Sequence, residues 1–549
     1  MTSERAAERR RQVAELLVIR ASGHLSDGQR RYPRWELDNA GLQRLLADGV
    51  GGVILLGGSA AELRLRTRQL ASWSEAPLLL CAAVEEGVGQ RFEGASWLVP
   101  PLALGRLHAS DPHAALALAE RYGRCSGREA RALGLNWVLG PICDVNNNPA
   151  NPVINVRAWG EDPASSGILA SAFLRGAQAE GVLCCAKHFP GHGDTATDSH
   201  LDLPLLPHSR QRLEAVELPP FRQAIAAGVA SVMTAHLLLP ALDAERPATL
   251  SPAVLTDLLR GQLGFDGLVV TDALVMEAIA DRYGAGEAVV LALEAGADLV
   301  LMPADADEAL EAILLALDSG RLRLERIEAS RQRRRRALAR TPVETGAEAL
   351  AGAPLGPLSN GPLPQDRALA LELVQRSIEH QGGRLALDSG LNLIRVDSVL
   401  GCPFLSATAP ALELPAAAGL RPCLIDGRSP APWSSRSEAP LALERLGEGP
   451  VLLQLFVRGN PFRGSAGGDD EPWPAVIAQL QSAGRLAGLA VYGSPYLWES
   501  LRSLLAPGIP AAWSPGQMPL AQRNLLAALG LGQDPGAGSG DPNEEGFTD

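Results

Sequence analysis

Residues 187–200 read KHFPGHGDTATDSH, and His188, His192 and His200, three of the nine histidines, stand here beside Lys187, Asp194 and Asp198. Metal binding would need ligands converging from a firm backbone. His188 and His192 are four apart, as on one helix face, but Pro190, Gly191 and Gly193 fall around that spacing and break a regular helix. No HExxH motif or cysteine pair supports zinc, so no metal is expected. A purely structural loop would spend its histidines on backbone partners. Acid–base chemistry needs a histidine with a carboxylate to orient it, and Asp198-Ser199-His200 supplies that pair on a glycine-loosened loop. Such a pair needs a partner on the reacting atom, and Asp272, ending the apolar run GLVVTD, is the candidate. A strand-end aspartate is also a common helix N-cap, so on its own it says little.

The elements that would hold these groups are legible as runs. ELLVIR (15–20), GVILLG (52–57), PLLLCAAV (77–84), LNWVLG (135–140), VLCCAKHF (182–189), ASVMTAH (230–236), GLVVTD (267–272) and ADLVLMP (297–303) alternate with helical patterns. Apolar strands alternating with helices predict a parallel sheet covered by helices. Eight such units predict a closed (β/α)8 barrel, an open doubly wound sheet being the alternative. Polar residues gather where the runs stop: Glu85 and Glu86, Asp144 and Asn146 to Asn148, Lys187 and His188, His236, and Asp272. In a barrel those positions form the C-terminal rim, where active sites are built.

The 549 residues suit two or three domains. The predicted division is a catalytic barrel over 1–340, a Pro/Gly/Ala-rich linker over 341–365, a smaller α/β sandwich-like domain over 366–531, and a disordered tail over 532–549. Lys plus Arg number 49 against 62 Asp plus Glu, a net charge of −13 that argues against nucleic acid or an anionic membrane as partner. The basic run RQRRRR (331–336) reads as the solvated end of a helix, where cations suit the dipole. No run supplies the ~18 apolar residues that span a bilayer, and the N-terminus lacks a signal-peptide core, so a cytoplasmic protein is expected. The seven cysteines form no CxxC pair and read as reduced and mostly buried.

Four stretches together resemble the family 3 glycoside hydrolases, closest to their β-N-acetylhexosaminidase branch: KHFPGHGDTATDSH, DVNNNPANPVINVRAWGEDP (144–163), SVMTAH (231–236) and FDGLVVTDALVMEAI (265–279). The resemblance covers roughly residues 10–340 and is looser in the second domain. It implies a (β/α)8 barrel and a retaining mechanism without metal or cofactor. It makes Asp272 the nucleophile, His200 the acid/base and Asp198 its dyad partner. Lys187, His188, Arg157, Arg91 and His236 fall on substrate contacts. One departure stands out: the family's DQEGGRVQRF reads AVEEGVGQRF here, so Ala83 replaces an aspartate that grips sugar hydroxyls, and Glu85 or Glu86 is left to reach them.

In that mechanism Asp272 attacks the anomeric carbon while His200 protonates the leaving oxygen, and His200 then deprotonates the incoming water. Histidine's ordinary pKa of about 6.5 already suits both duties. The expected activity is exo-β-N-acetylglucosaminidase on peptidoglycan fragments or other amino-sugar glycosides, with carbohydrate as substrate and neither nucleic acid nor membrane as partner. A glycoside phosphorylase or β-glucosidase of the same family, and a non-catalytic sugar binder, are the competing expectations.

Overall fold

Eight short parallel strands carry the functional end of the chain. They are β1 (Leu17–Ser22), β2 (Gly52–Leu56), β3 (Leu79–Ala82), β4 (Trp137–Val138), β5 (Leu183–Phe189), β6 (Ser231–Thr234), β7 (Leu268–Val270) and β8 (Val300–Leu301). The computed structural model describes residues 3–199, 202–341, 361–398, 402, 404–426, 429, 432–434, 439–458 and 471–532. The strands lie in the order β7-β6-β5-β4-β3-β2-β1-β8, and a parallel bridge from Val270 to Leu299 joins the two ends. The expected barrel is therefore present, each strand lying on its apolar run, with β1 extending two residues past its own.

One buried cluster unites Val18, Cys81, Trp137, Cys185, Met233, Val270 and Leu301. Residues from seven strands meet in one cluster only inside the barrel, so these positions define which side chains point inward. Val18, Cys81, Cys185 and Val270 come from odd-numbered strands and form one layer of four, the usual filling of such a barrel. Two long helices, Pro112–Ala132 and Pro163–Ala179, pack side by side outside; each starts at an aspartate cap, Asp111 or Asp162, followed by proline at the first helical position.

The described residues fall into two compact units, the first running to Leu373 and the second starting at Val374. The dividing point lies inside the helix Pro364–Ser377, beyond the boundary expected at 366. The reason is local: Asp366 pairs with Arg128, and Glu372 accepts from Arg121 at 2.7 Å, tying the helix's first half to Pro112–Ala132. Most of the expected linker, residues 342–360, and the tail from 533 lie outside the described residues.

The second unit is a six-stranded sheet in the order β11-β10-β12-β13-β14-β9. Its strands are β9 (Glu379–Gln381), β10 (Gly390–Arg395), β11 (Leu420–Ile425), β12 (Val451–Val457), β13 (Leu486–Gly493) and β14 (Ala511–Ser514), all parallel except β9. Alternation along the strands makes two cores. Leu391, Leu453 and Val491 face one, and Ile394, Leu452 and Tyr492 the other. The sheet is thus covered on both faces, a layered α/β unit as expected. No helix among the described residues is long and apolar enough to cross a membrane.

Candidate active site

Counting two residues on from the inward layer gives Arg20, Ala83, Lys187 and Asp272, so these share the next layer toward the C-terminal rim. Lys187 Nζ sits 2.5 Å from Glu85 Oε1. Arg157 grips the same carboxylate with both ends of its fork, Nε to Oε2 at 2.7 Å and Nη2 to Oε1 at 2.8 Å. All three side chains are largely buried. Burial alone would raise the Glu85 carboxyl, but the Arg157 and Lys187 charges outweigh it and hold Glu85 well below the usual carboxylate range. Glu86 turns elsewhere and accepts from Trp97 Nε1 at 3.1 Å. Of the two glutamates, Glu85 is the one that joins Lys187 and Arg157.

The histidine loop is held by a buried aspartate. Asp144 accepts the His188 backbone N–H at 3.1 Å, the His188 ring Nδ1 at 2.8 Å and the His192 backbone N–H at 2.7 Å. Burial opposes its charge, yet His188 and His192 hold its carboxyl below the ordinary value. Asn151 Nδ2 donates to the carbonyls of His192 and Gly193 at 2.8 and 2.9 Å. Gly191 has φ +132°, and a Cβ on Gly193 would lie 1.7 Å from the Val145 carbonyl oxygen, so the close passage needs glycine at both places. Asp194 then pairs with His208 Nε2 at 2.8 Å and Arg212 at 3.2 Å.

Asp198 is buried at the far end of the loop. His200 lies outside the described residues, so the expected dyad is seen from its aspartate side alone. Asp272 follows β7, partly exposed; its backbone N–H donates to Thr234 Oγ1 at 3.3 Å, and its Oδ1 accepts from the Ala273 N–H at 2.8 Å. Arg91 Nε donates to the Ala83 carbonyl at 3.1 Å.

His236 stands at the exit of β6. Its Nδ1 pairs with Thr249 Oγ1 at 2.8 Å and its Nε2 with the Ala273 carbonyl at 3.0 Å. With both ring nitrogens engaged by the protein, the imidazole braces the segment after Asp272. His192 is also internal: Nδ1 meets Thr195 Oγ1 at 2.8 Å, and burial pulls its pKa down to about 4. Among the described residues, two groups have the spacing of metal ligands, Cys125–Glu129–Asp366 and Asp194–His208–Glu217. Neither contains His188 or His192, and in the second Arg212 already pairs with both carboxylates.

Sequence reasoning missed the anchoring role of Asp144 and Asn151 and the place of Arg20 in the layer. Asp144 stood at a strand end with the other rim groups; the parity of Arg20 with Val18 was the signal that could have found it.

The rim of this parallel eight-stranded barrel gathers the ion-paired Glu85, Arg157 and Lys187 and the strand-end Asp272, at the end of such a barrel where active sites are built. Residues 10–337 match the Glycosyl hydrolase family 3 N terminal domain, and residues 385–530 the Bacterial Glycosyl hydrolase family 3 C-terminal domain. The chain belongs to glycosyl hydrolase family 3, enzymes that act on O-glycosyl bonds. A β-hexosaminidase of Stenotrophomonas maltophilia (strain K279a) is 40% identical over 272 residues, 48% of this chain and 80% of its own length. Beta-hexosaminidase A of Pseudoalteromonas piscicida is 35% identical over 322 residues, 54% of this chain and 53% of that one. The structure of a family 3 β-N-acetylglucosaminidase from Paenibacillus sp. str. FPU-7 is similar with a TM-score of 0.76 at 31% identity, over 95% of this chain and 96% of that one.

Proposed function

We propose that this enzyme is a retaining exo-β-N-acetylglucosaminidase that releases terminal β-linked N-acetylglucosamine, with peptidoglycan fragments or other amino-sugar glycosides as its source. The observation that carries the reading is the shared layer of Lys187 and Asp272: a carboxylate on one strand end stands in the same inward layer as a cation already locked, with Arg157, onto Glu85. Lys187, Arg157 and His188 would hold ring hydroxyls, and Asp272 would attack the anomeric carbon from below. The name of the Paenibacillus β-N-acetylglucosaminidase supports N-acetylglucosamine as the sugar, and the β-hexosaminidase relatives fit it. His200, oriented by Asp198, would give the proton to the leaving oxygen and take one from water.

The test is a 4-nitrophenyl N-acetyl-β-glucosaminide assay together with a fluorinated mechanism-based sugar. Turnover, with the label on Asp272 by peptide mass spectrometry and no turnover in Asp272→Ala, is the expected result. A label on Glu85, Glu86 or Asp144 would reassign the nucleophile, and inversion at the anomeric carbon would remove the covalent step altogether.

A further inference from the structure

We infer that Arg20 is a specificity-determining residue of the sugar pocket, and that the terminal sugar this enzyme takes carries an anionic group on the edge facing β1. The inference rests on the functional reading above and deepens it. Arg20 follows the inward-facing Val18 by two residues on β1, so its side chain enters the barrel in the same layer as Ala83, Lys187 and Asp272. In a ring of odd-numbered strands its neighbours are Ala83 and Asp272, and Lys187 lies opposite. Ala83 ends at a methyl, so position 83 offers the β1–β3 edge no polar side chain of its own.

The surroundings of Arg20 favour a ligand over a closed structural ion pair. Its guanidinium carbon lies 5.2 Å from the Tyr32 ring centroid and 5.9 Å from that of Trp35. Trp35 packs on the barrel-lining cluster, as Ala83 and Ala273 do. Among the described residues its acidic partner is the fully buried Glu36, and the nearest approach, Nη2 to Oε1, is 3.7 Å. The Arg157–Glu85 pair closes to 2.7 and 2.8 Å on both arms. The Arg20 pair leaves Arg20 Nε and Glu36 Oε1 buried without a hydrogen-bond partner. A guanidinium only donates, so whatever completes it must accept, and its planar fork matches a carboxylate, phosphate or sulfate. Arg91, fixed against the Ala83 carbonyl, adds a second cation to the same edge.

The test compares kcat/KM on four 4-nitrophenyl glycosides: the plain N-acetyl-β-glucosaminide, its 6-phosphate, its 6-sulfate and the corresponding uronic acid. Full-length enzyme, Arg20→Lys and the double variant Arg20→Met/Glu36→Gln are assayed in parallel, with thermal melts to verify folding. The double variant removes both charges, so no lone buried carboxylate is left to unfold the barrel. The unmodified enzyme is expected to prefer one anionic glycoside over the plain one by roughly 10- to 100-fold, the size of a charge-assisted hydrogen bond. Which anion is preferred identifies its source. In the double variant the ratio of anionic to plain should fall to about one, and Arg20→Lys should retain part of it. If the plain glycoside is turned over and no anion improves on it, or if the preference survives in the double variant, the inference is overturned and the functional reading stands. Turnover of none of the four overturns both. Should the double variant not fold, the panel on the unmodified enzyme decides alone.

Discussion

Asp144 Oδ1 accepts the backbone N–H of His192 at 2.7 Å, across 48 residues of sequence. The same carboxylate takes the backbone N–H and ring Nδ1 of His188, so one buried side chain fixes both ends of the HFPGH segment. The loop therefore owes its shape to β4's exit rather than to its own residues. A ring nitrogen donating to a carboxylate also fixes the tautomer of His188, leaving Nε2 for a ligand.

Replacing Asp144 with Asn should therefore damage the loop more than a neutral swap suggests. The amide has one acceptor oxygen where the carboxylate has two, and turning its NH₂ toward the His192 N–H opposes donor to donor. Loss of a charged hydrogen-bond acceptor predicts roughly 1.5–3 kcal/mol of destabilisation, read from urea denaturation. Activity should fall chiefly through kcat/KM. An Asp144→Asn enzyme with unchanged stability and activity would show that the loop is held elsewhere.

Glu85 is the counter-ion of two buried cations, and Glu85→Gln leaves both without it. Breaking a buried pair by removing one partner costs about 3–5 kcal/mol. Glu85→Asp keeps the charge but is one methylene short, so the two-armed grip of Arg157 should fail while the net charge survives. The expected order in melting temperature is unmodified above Glu85→Asp above Glu85→Gln. Equal melting temperatures for the two variants would mean that reach, not charge, holds Arg157 in place.

The dyad proposal makes a prediction about leaving groups. His200→Ala should cost roughly 10²–10⁴-fold in glycosylation of a substrate with a poor leaving group. A dinitrophenyl group departs unaided, so its glycosylation should suffer far less, and azide should partly rescue the second step. Asp198→Asn should show the same pattern more weakly, and His192→Ala should lack it, since His192 hydrogen-bonds Thr195 inside the loop. Equal losses across leaving groups for His200→Ala would make it a binding residue.

The barrel was legible because parallel strands covered on both faces read as unbroken apolar runs, and all eight runs hold strands. The second sheet was only half legible. β10, β12 and β13 are apolar and central, but β11 is an edge strand whose Arg421 and Pro422 are exposed, and β14 is four residues long. The helix Pro364–Ser377 gives way to Glu379–Gln381, which pairs antiparallel with β14, a long-range contact that local periodicity does not carry. At the site, the family resemblance put Arg157 and Lys187 among the substrate contacts and left Glu85 as a candidate, but their mutual ion pairing across 72 residues and more is a tertiary fact. The partners of His236 are tertiary as well. A strand-end histidine looks available until Thr249 and the Ala273 carbonyl are seen to occupy both nitrogens. Arg20 hid inside VIRAS, where one charge in an apolar strand passes for an outward residue.

The last prediction concerns His192 and Glu129, two buried groups with opposite effects on stability as pH changes. Burial pulls His192 down to about 4 from 6.5, so below pH 6.5 the unfolded chain takes a proton that the native state refuses. Its cost to stability is nil above 6.5 and grows as pH falls toward 4, reaching about 3 kcal/mol at 1.36 kcal/mol per unit. Burial pushes Glu129 up to about 7 from 4.5, with Asp366 adding to the shift and the Ser96 hydrogen bonds and Arg128 opposing it. Here the native state holds the proton longer, so the stabilising difference is present below 4.5 and is lost as pH rises through 7, again about 3 kcal/mol. Between pH 4.5 and 6.5 the two slopes oppose each other in the unmodified protein. Glu129→Gln should unmask the rising slope, so that its stability relative to the unmodified chain improves from pH 5 to pH 8. His192→Gln should do the reverse, gaining relative stability toward pH 5. Urea midpoints for the three proteins at unit steps of pH measure both differences, with every other titrating group common to all. Profiles that stay parallel from pH 5 to 8 would mean that neither group titrates differently in the folded chain.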